Sequence, residues 1–131
     1  MKKIFTLFPS RTYPTPDGTL TYFFAPPELW NQIGMAKTLR VQMRGARRSD
    51  PNAYARVRFY ETCIPDGRPS NVGIEITATV QLTTSMTPDL VTVSGPFAGR
   101  VEPVLEVWDS DSNDDPMDIT LEVHVTAILE E

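Results

Sequence analysis

Polar and apolar residues alternate along most of the chain. Leu39, Val41 and Met43, for example, are separated by single polar residues. Three further segments show the same alternation, residues 53–63, 72–84 and 117–129. A period of two places successive side chains on opposite sides of a β-strand, so one side packs in a core and the other meets water or a partner. The pattern therefore predicts a chain built mainly from amphipathic strands.

Turn-forming residues separate these segments. Pro, Gly and Asp cluster, for example, in residues 14–18 and 65–69. Proline fixes φ, glycine tolerates positive φ and Asp bonds to the local backbone, so such clusters favour turns. The intervening sequence predicts eight strands, at about residues 2–8, 19–24, 37–45, 53–63, 72–84, 90–94, 100–108 and 117–129.

Eight strands with regularly spaced turns predict an all-β fold, an antiparallel β-sandwich that forms a single domain over residues 1–131. A jelly roll of two four-stranded sheets is favoured over an immunoglobulin-like sandwich, because the Cys and Trp core signature of the latter is absent. Another β-sandwich and a closed barrel are the alternatives. One short helix is expected at residues 27–33, where Pro27 can occupy the first turn and Gly34 can end it.

The N-terminal residues imitate a signal peptide, with two lysines before an apolar run. That run stops at Pro9 and Arg11, which is too short for a signal, so we expect it to be the first strand. No apolar stretch is long enough to cross a bilayer, and the single Cys63 cannot form an intramolecular disulfide. The expected location is the cytoplasm or a virus particle, without a membrane partner.

Charge is distributed unevenly along the chain, although the net charge is only −5. Residues 37–58 carry seven Lys and Arg against one acidic residue, and residues 101–131 carry ten acidic residues and no Lys or Arg. Two explanations stay open at this point. Cross-strand ion pairs could form within one chain, or the basic face of one subunit could meet the acidic face of another in a ring or array.

Charged and aromatic residues on the polar sides of the strands are the candidate interface residues. They are Arg40, Arg44, Tyr54, Arg56, Arg58, Tyr60, Glu102, Glu106, Trp108 and Glu122. Tyrosines interleaved with arginines can also stack on nucleic-acid bases. The negative net charge and the acidic last third argue against a nucleic-acid partner, since they repel phosphates. The expected partner is another copy of the chain or a larger protein assembly.

An acidic stretch follows the seventh predicted strand. Asp109, Asp111 and Asn113 have the D-x-D-x-N spacing of a calcium loop. The resemblance ends there, because Asp114 and Thr120 stand where an EF-hand requires Gly and Glu. The three residues are a candidate calcium site, and the simpler interpretation is an acidic hairpin loop. No other cofactor is expected.

Catalytic chemistry has few residues to use. His124 and Cys63 are the only residues of their types, and the nucleophile-elbow, Walker and dinucleotide-binding motifs are absent. Glu102 and Glu106 share a strand face, as paired glycosidase carboxylates can, but nothing else in the sequence marks a cleft. The sequence therefore predicts a protein that is not an enzyme.

Two functions fit these expectations. The first is a structural protein that oligomerises through the faces of its sandwich, such as a capsid decoration or accessory virion protein of a virus or phage. That suggestion is an analogy of architecture, which does not establish function. The alternative is a carbohydrate-binding, lectin-like module, with Trp30, Trp108 or Tyr60 stacking on sugar rings and the acidic loop holding a structural calcium.

Overall fold

A computed structural model describes residues 2–15, 20–48, 53–82, 88–109 and 119–130. In this part of the chain eight strands and two short helices form. The strands are β1 (Lys2–Thr15), β2 (Thr21–Phe24), β3 (Thr38–Arg48), β4 (Ala53–Thr62), β5 (Ile74–Gln81), β6 (Asp89–Ser94), β7 (Arg100–Asp109) and β8 (Ile119–Glu130). The helices are α1 (Glu28–Gly34) and α2 (Pro69–Val72).

The strands form two four-stranded antiparallel sheets, in the orders β1-β8-β3-β6 and β2-β7-β4-β5. Strands that are distant in sequence are neighbours, as β1 and β8 are, because the chain crosses repeatedly from one sheet to the other. Eight strands arranged in this way form a jelly roll. The predicted all-β, antiparallel sandwich of jelly-roll type is therefore confirmed.

The core lies between the two sheets and is filled by alternate residues of the strands. Leu39, Val41 and Met43 are fully buried, whereas Arg40 and Arg44 between and beside them are exposed. Strands of the other sheet contribute in the same way, with Ala55, Val57, Phe59, Leu105 and Val107. The alternation seen in the sequence is thus the division between core and surface.

The first strand is longer than predicted. It continues from Lys2 to Thr15, past Pro9, at which the sequence pattern had suggested an end. Proline lacks a backbone N–H and is tolerated on an edge strand or at a bulge. Both conditions hold here, because β1 lies at the edge of its sheet and its register shifts between Phe8 and Arg11.

Two short helices connect the strands. Helix α1 begins and ends one residue later than predicted and packs on β7, with Trp30 and Ile33 buried. Gly34 is required there, since a Cβ atom would lie 1.9 Å from the carbonyl oxygen of Gly99. Helix α2 was not predicted, because residues 65–69 have the composition of a turn. Neither helix, within the described residues, is long and apolar enough to cross a membrane.

Candidate functional site

The outer faces of the two sheets are the candidate functional surfaces. Seven of the ten candidate interface residues lie on the outer face of β2-β7-β4-β5, and we call this surface the paired face. These residues are Tyr54, Arg56, Arg58, Tyr60, Glu102, Glu106 and Trp108. The outer face of β1-β8-β3-β6 is called the open face. Its described exposed side chains include Ile4, Arg40, Gln42, Arg44 and Leu90.

Glu106 is the centre of an ion-pair network on the paired face. It lies opposite Arg56 in the β4–β7 register, and the Arg56 Nε donates a hydrogen bond to its Oε2 atom. Arg58 Nε lies 3.3 Å from Glu106 Oε1, and Arg58 Nη1 lies 3.4 Å from Glu75 Oε1. The Glu106 side chain is buried, although it points away from the core, because neighbouring side chains cover it. Burial of this carboxylate is offset by two guanidinium groups.

Glu102, which precedes Glu106 by four residues on β7, is completely buried. Arg68 Nε lies 3.3 Å from Glu102 Oε2, and the backbone N–H of Ser70 donates to Oε1 at 3.0 Å. The guanidinium of Arg68 also lies 4.1 Å from the centre of the Phe24 ring. Glu102 thus ties α2 and the segment before it to the sheet. Sequence reasoning missed Arg68, because its segment indicated only a turn.

Both tryptophan rings contact other side chains of the protein. Trp108 stacks on Tyr54, with ring centres 5.8 Å apart, and the Arg56 guanidinium lies 4.7 Å from the Trp108 ring. Trp30 is buried, and Arg100 lies 5.3 Å from its ring. The Trp30 Nε1 has no hydrogen-bond acceptor among the described residues. Arginine over an indole face is a favourable cation–π arrangement, so these rings contribute to the fold.

A cavity of about 270 Å³ opens on the paired face. We call it the aromatic cavity, and it is lined by Tyr22, Phe24, Tyr60, Ser70, Asn71 and Val104. Tyr22 and Phe24 are 50% and 47% exposed, while Val104 is buried. Burial raises the pKa of the Tyr60 hydroxyl, and the nearby Glu75 and Glu106 carboxylates raise it further. Tyr60 therefore stays protonated at neutral pH and can donate a hydrogen bond.

The open face carries two arginines that form no ion pair with the described residues. These residues, Arg40 and Arg44, are exposed. Arg40 lies opposite Ile128 of β8, which in turn lies opposite Ile4 of β1. Ile4 is 73% exposed and Leu90, on β6, is 53% exposed. This surface combines exposed guanidinium groups, which have no ion-pair partner among the described residues, with exposed aliphatic side chains.

The remaining predicted sites are only partly described. The Glu122 backbone on β8 pairs with Thr12 and Arg47, and Asp109 is the last residue of β7. Asp111 and Asn113 lie outside the described residues, so the calcium site stays a prediction. In the described ranges no group of three His, Cys, Asp or Glu residues could hold a metal ion. Cys63 is exposed.

Intrachain pairing therefore accounts for part of the charge asymmetry. Arg56 and Arg58 are neutralised by Glu106 on the neighbouring strand, as the first of the two explanations expects. Arg40 and Arg44 are not explained in this way. The alternation in the sequence placed all four arginines on outer faces, but it could not show which strands would lie beside them.

Comparisons with known proteins agree with the fold. No family model and no curated protein matches the sequence. A chain in the structure of Triatoma virus is 17% identical, with a TM-score of 0.50, and the match covers 99% of this chain and 64% of that chain. The protein thus spans less than two thirds of the Triatoma virus chain. At this identity the similarity concerns the fold alone.

Two other solved structures have lower TM-scores. The Yersinia pseudotuberculosis-derived mitogen is 9% identical, with a TM-score of 0.45 and coverage of 100% of this chain and 88% of that chain. The family 30 carbohydrate-binding module of a cellulosomal cellulase of Clostridium thermocellum is 11% identical, with a TM-score of 0.39 and coverage of 98% and 73%.

Proposed function

We propose that the protein is a non-enzymatic structural protein that assembles with further copies of itself through the open face, as a decoration or accessory component of a virus or phage particle. The observation that carries this proposal is the pair of exposed arginines, Arg40 and Arg44, on a sheet face that also exposes Ile4 and Leu90. A surface of this kind favours association, because aliphatic area gains from leaving water and arginine is enriched at interfaces.

The chemistry of the partner follows from the charges. Arginines that are buried without carboxylates would carry a large desolvation cost, so the partner surface must be acidic. Residues 109–118 of the chain contain five Asp and no Lys or Arg. The sequence of a second copy therefore contains carboxylates of the required charge. Contact between two different surfaces of identical subunits is heterologous, and it produces a closed ring or an open array.

The fold supports the proposal that the protein is a component of a virus or phage particle. The strand order is that of a jelly roll, an architecture that viral capsid proteins use. A chain of Triatoma virus shares this fold over 99% of the protein. Fold alone does not determine function, and the assembly proposal therefore depends on the open face.

Sedimentation velocity at low and high salt tests the proposal. We expect salt-sensitive association, because screening over about 10 Å at 0.1 M ionic strength weakens exposed ion pairs. Arg40→Glu and Arg44→Glu should each weaken association at least about tenfold, which corresponds to roughly 1.4 kcal/mol. Lys3→Glu is the matched control, since the Lys3 Nζ donates to Gln32 Oε1 on α1.

Two results would overturn the assembly proposal. One is a wild-type protein that stays monomeric at high concentration and low salt. The other is association that Arg40→Glu and Lys3→Glu reduce equally, because total charge would then matter and the open face would not.

In the carbohydrate-binding alternative, two of the three candidate stacking residues are occupied by contacts within the protein. Trp30 is buried, and Trp108 is covered by Tyr54 on one side and approached by Arg56. Tyr60 is left, and it lines the aromatic cavity. The alternative therefore depends on that cavity.

A further inference from the structure

We propose that the aromatic cavity of the paired face is a binding site for one neutral sugar ring. The site would be independent of assembly, because it lies on the outer face of β2-β7-β4-β5 and the open face belongs to the other sheet. Its lining combines apolar, hydroxyl and amide groups in Tyr22, Phe24, Tyr60, Ser70, Asn71 and Val104.

The apolar part of the site comes from β2 and β7. Tyr22 and Phe24 are two residues apart on β2, so their side chains leave the same side of the sheet. They lie opposite Glu106 and Val104 of β7. Each of these two residues is about half exposed. A pyranose has a C–H face that can pack on the Tyr22 ring, or on the side of the Phe24 ring opposite the Arg68 guanidinium, while its hydroxyl groups point outward at its edge.

The polar part comes from α2 and β4. The Asn71 amide can both donate and accept hydrogen bonds, and the hydroxyl groups of Ser70 and Tyr60 can do the same. Ligand sites typically join a mostly apolar wall to a few convergent polar groups that set orientation. Three such groups around two aromatic rings correspond to the mixed surface of a sugar.

The electrostatics favour a neutral ligand. The described residues that line the cavity include no charged side chain. Nearby carboxylates are already neutralised, Glu102 by Arg68 and Glu106 by Arg56. An anionic or cationic ligand would lose hydration without gaining an ion pair, whereas a neutral ligand avoids this cost.

The size of the cavity limits the ligand. Its volume of about 270 Å³ is slightly smaller than that of typical ligand pockets, which begin at about 300 Å³. A single ring suits this space, and a long acyl chain does not. The walls are also fixed in advance, because Ser70 is anchored to Glu102 and Arg68 packs on Phe24. A preformed site reduces the ordering cost of binding.

Amide-resolved NMR titration tests the site with glucose, galactose, mannose and N-acetylglucosamine, each to about 50 mM, a concentration that nearly saturates a site with a Kd of about 1 mM. We expect at least one of these sugars to give saturable shifts centred on β2 and α2. Cyclohexanol, which has a ring but one hydroxyl, should bind more weakly than that sugar.

Variants localise the binding. Asn71→Ala changes an exposed side chain and should weaken sugar binding about fivefold, and Phe24→Ala should weaken it at least about tenfold. Leu90→Ala is the control, because Leu90 is similarly exposed on the open face. The proposal is overturned if no sugar binds, if both cavity variants bind like the Leu90 control, or if cyclohexanol binds as tightly as the sugar. None of these results bears on association measured by sedimentation, so the two proposals fail separately.

Discussion

The two outer faces of the sandwich use arginine in opposite ways. On the paired face Arg56 lies opposite Glu106, and the two side chains form an ion pair. On the open face Arg40 lies opposite Ile128, which offers no charge. Both arginines occupy outward positions of a regular strand. The neighbouring strand thus decides whether an arginine belongs to the fold or is available to a partner.

Burial differs between the faces for the same reason. Glu102 and Glu106 are buried on an outward side because arginines and aromatic rings cover them. On the open face Ile4 and Leu90 stay exposed. A covered ion pair depends strongly on both partners, since removing one leaves the other poorly solvated. Substitutions of the covered Glu106 and Glu102 ion pairs should therefore affect stability, and those of the exposed arginines on the open face should affect association.

Among these substitutions, Glu106→Gln is expected to lower the free energy of unfolding most. The change leaves Arg56 and Arg58 facing each other without the carboxylate between them. We expect the free energy of unfolding to fall by about 3 kcal/mol, and the melting temperature by roughly 10 °C. Urea unfolding and calorimetry measure both.

Glu75→Gln is the matched control for that variant. Glu75 pairs with Arg58 at 3.4 Å but is exposed, so its loss should change stability by less than about 1 kcal/mol. Equal losses of unfolding free energy for the two substitutions would show that burial of Glu106 does not increase the contribution of its ion pairs to stability.

Substitutions of Arg56 and Arg40, which lie on different faces, should differ less in their effect on stability. Arg56→Gln removes the ion pair with Glu106 and the contact with Trp108, so we expect a loss of about 1–3 kcal/mol. Arg40→Gln should stay within about 0.5 kcal/mol of the wild type. Equal losses measured by urea unfolding would contradict the assignment of Arg40 to a free surface.

The smallest effect concerns Tyr60 and alkaline pH. Its pKa in the folded protein is raised, first by burial and then by Glu75 and Glu106, above the ordinary value of 10.0. As pH rises past 10.0, the unfolded chain loses this proton more readily than the folded chain, so stability decreases. Tyr60→Phe cannot ionise and should make the decrease between about pH 9 and 11 shallower. An unchanged slope for the variant would contradict this contribution of Tyr60.

Much of the fold was predictable because strand formation is local. All eight predicted strands are present in the described residues, since alternation marks each of them separately. The sequence predicts too early an end for β1, because proline usually interrupts a strand, whereas the edge position of β1 accommodates Pro9. A strand tolerates a proline where no neighbouring strand requires a hydrogen bond from its backbone nitrogen.

Less of the candidate site was predictable. The sequence identifies Tyr60 as a candidate stacking residue, but the other aromatic walls, Tyr22 and Phe24, lie in a run of three aromatic residues whose orientation the sequence does not determine. Ser70 and Asn71 had no sequence signal, because α2 is a single turn in a segment of turn residues. These residues meet only after β2 pairs with β7 and α2 attaches to Glu102.

By itself, the sequence determined which side chains point outward, since the period of a strand is a local property of its backbone. It also determined that basic residues concentrate in β3 and β4 and acidic residues in the last third of the chain. Only the tertiary structure decided how these charges meet. It placed β7, with Glu102 and Glu106, beside β4, and it placed β8 beside β3 with Ile128 opposite Arg40. The energy of a charge depends on what lies within a few ångströms and how much water is excluded there, and neither quantity is contained in one strand alone.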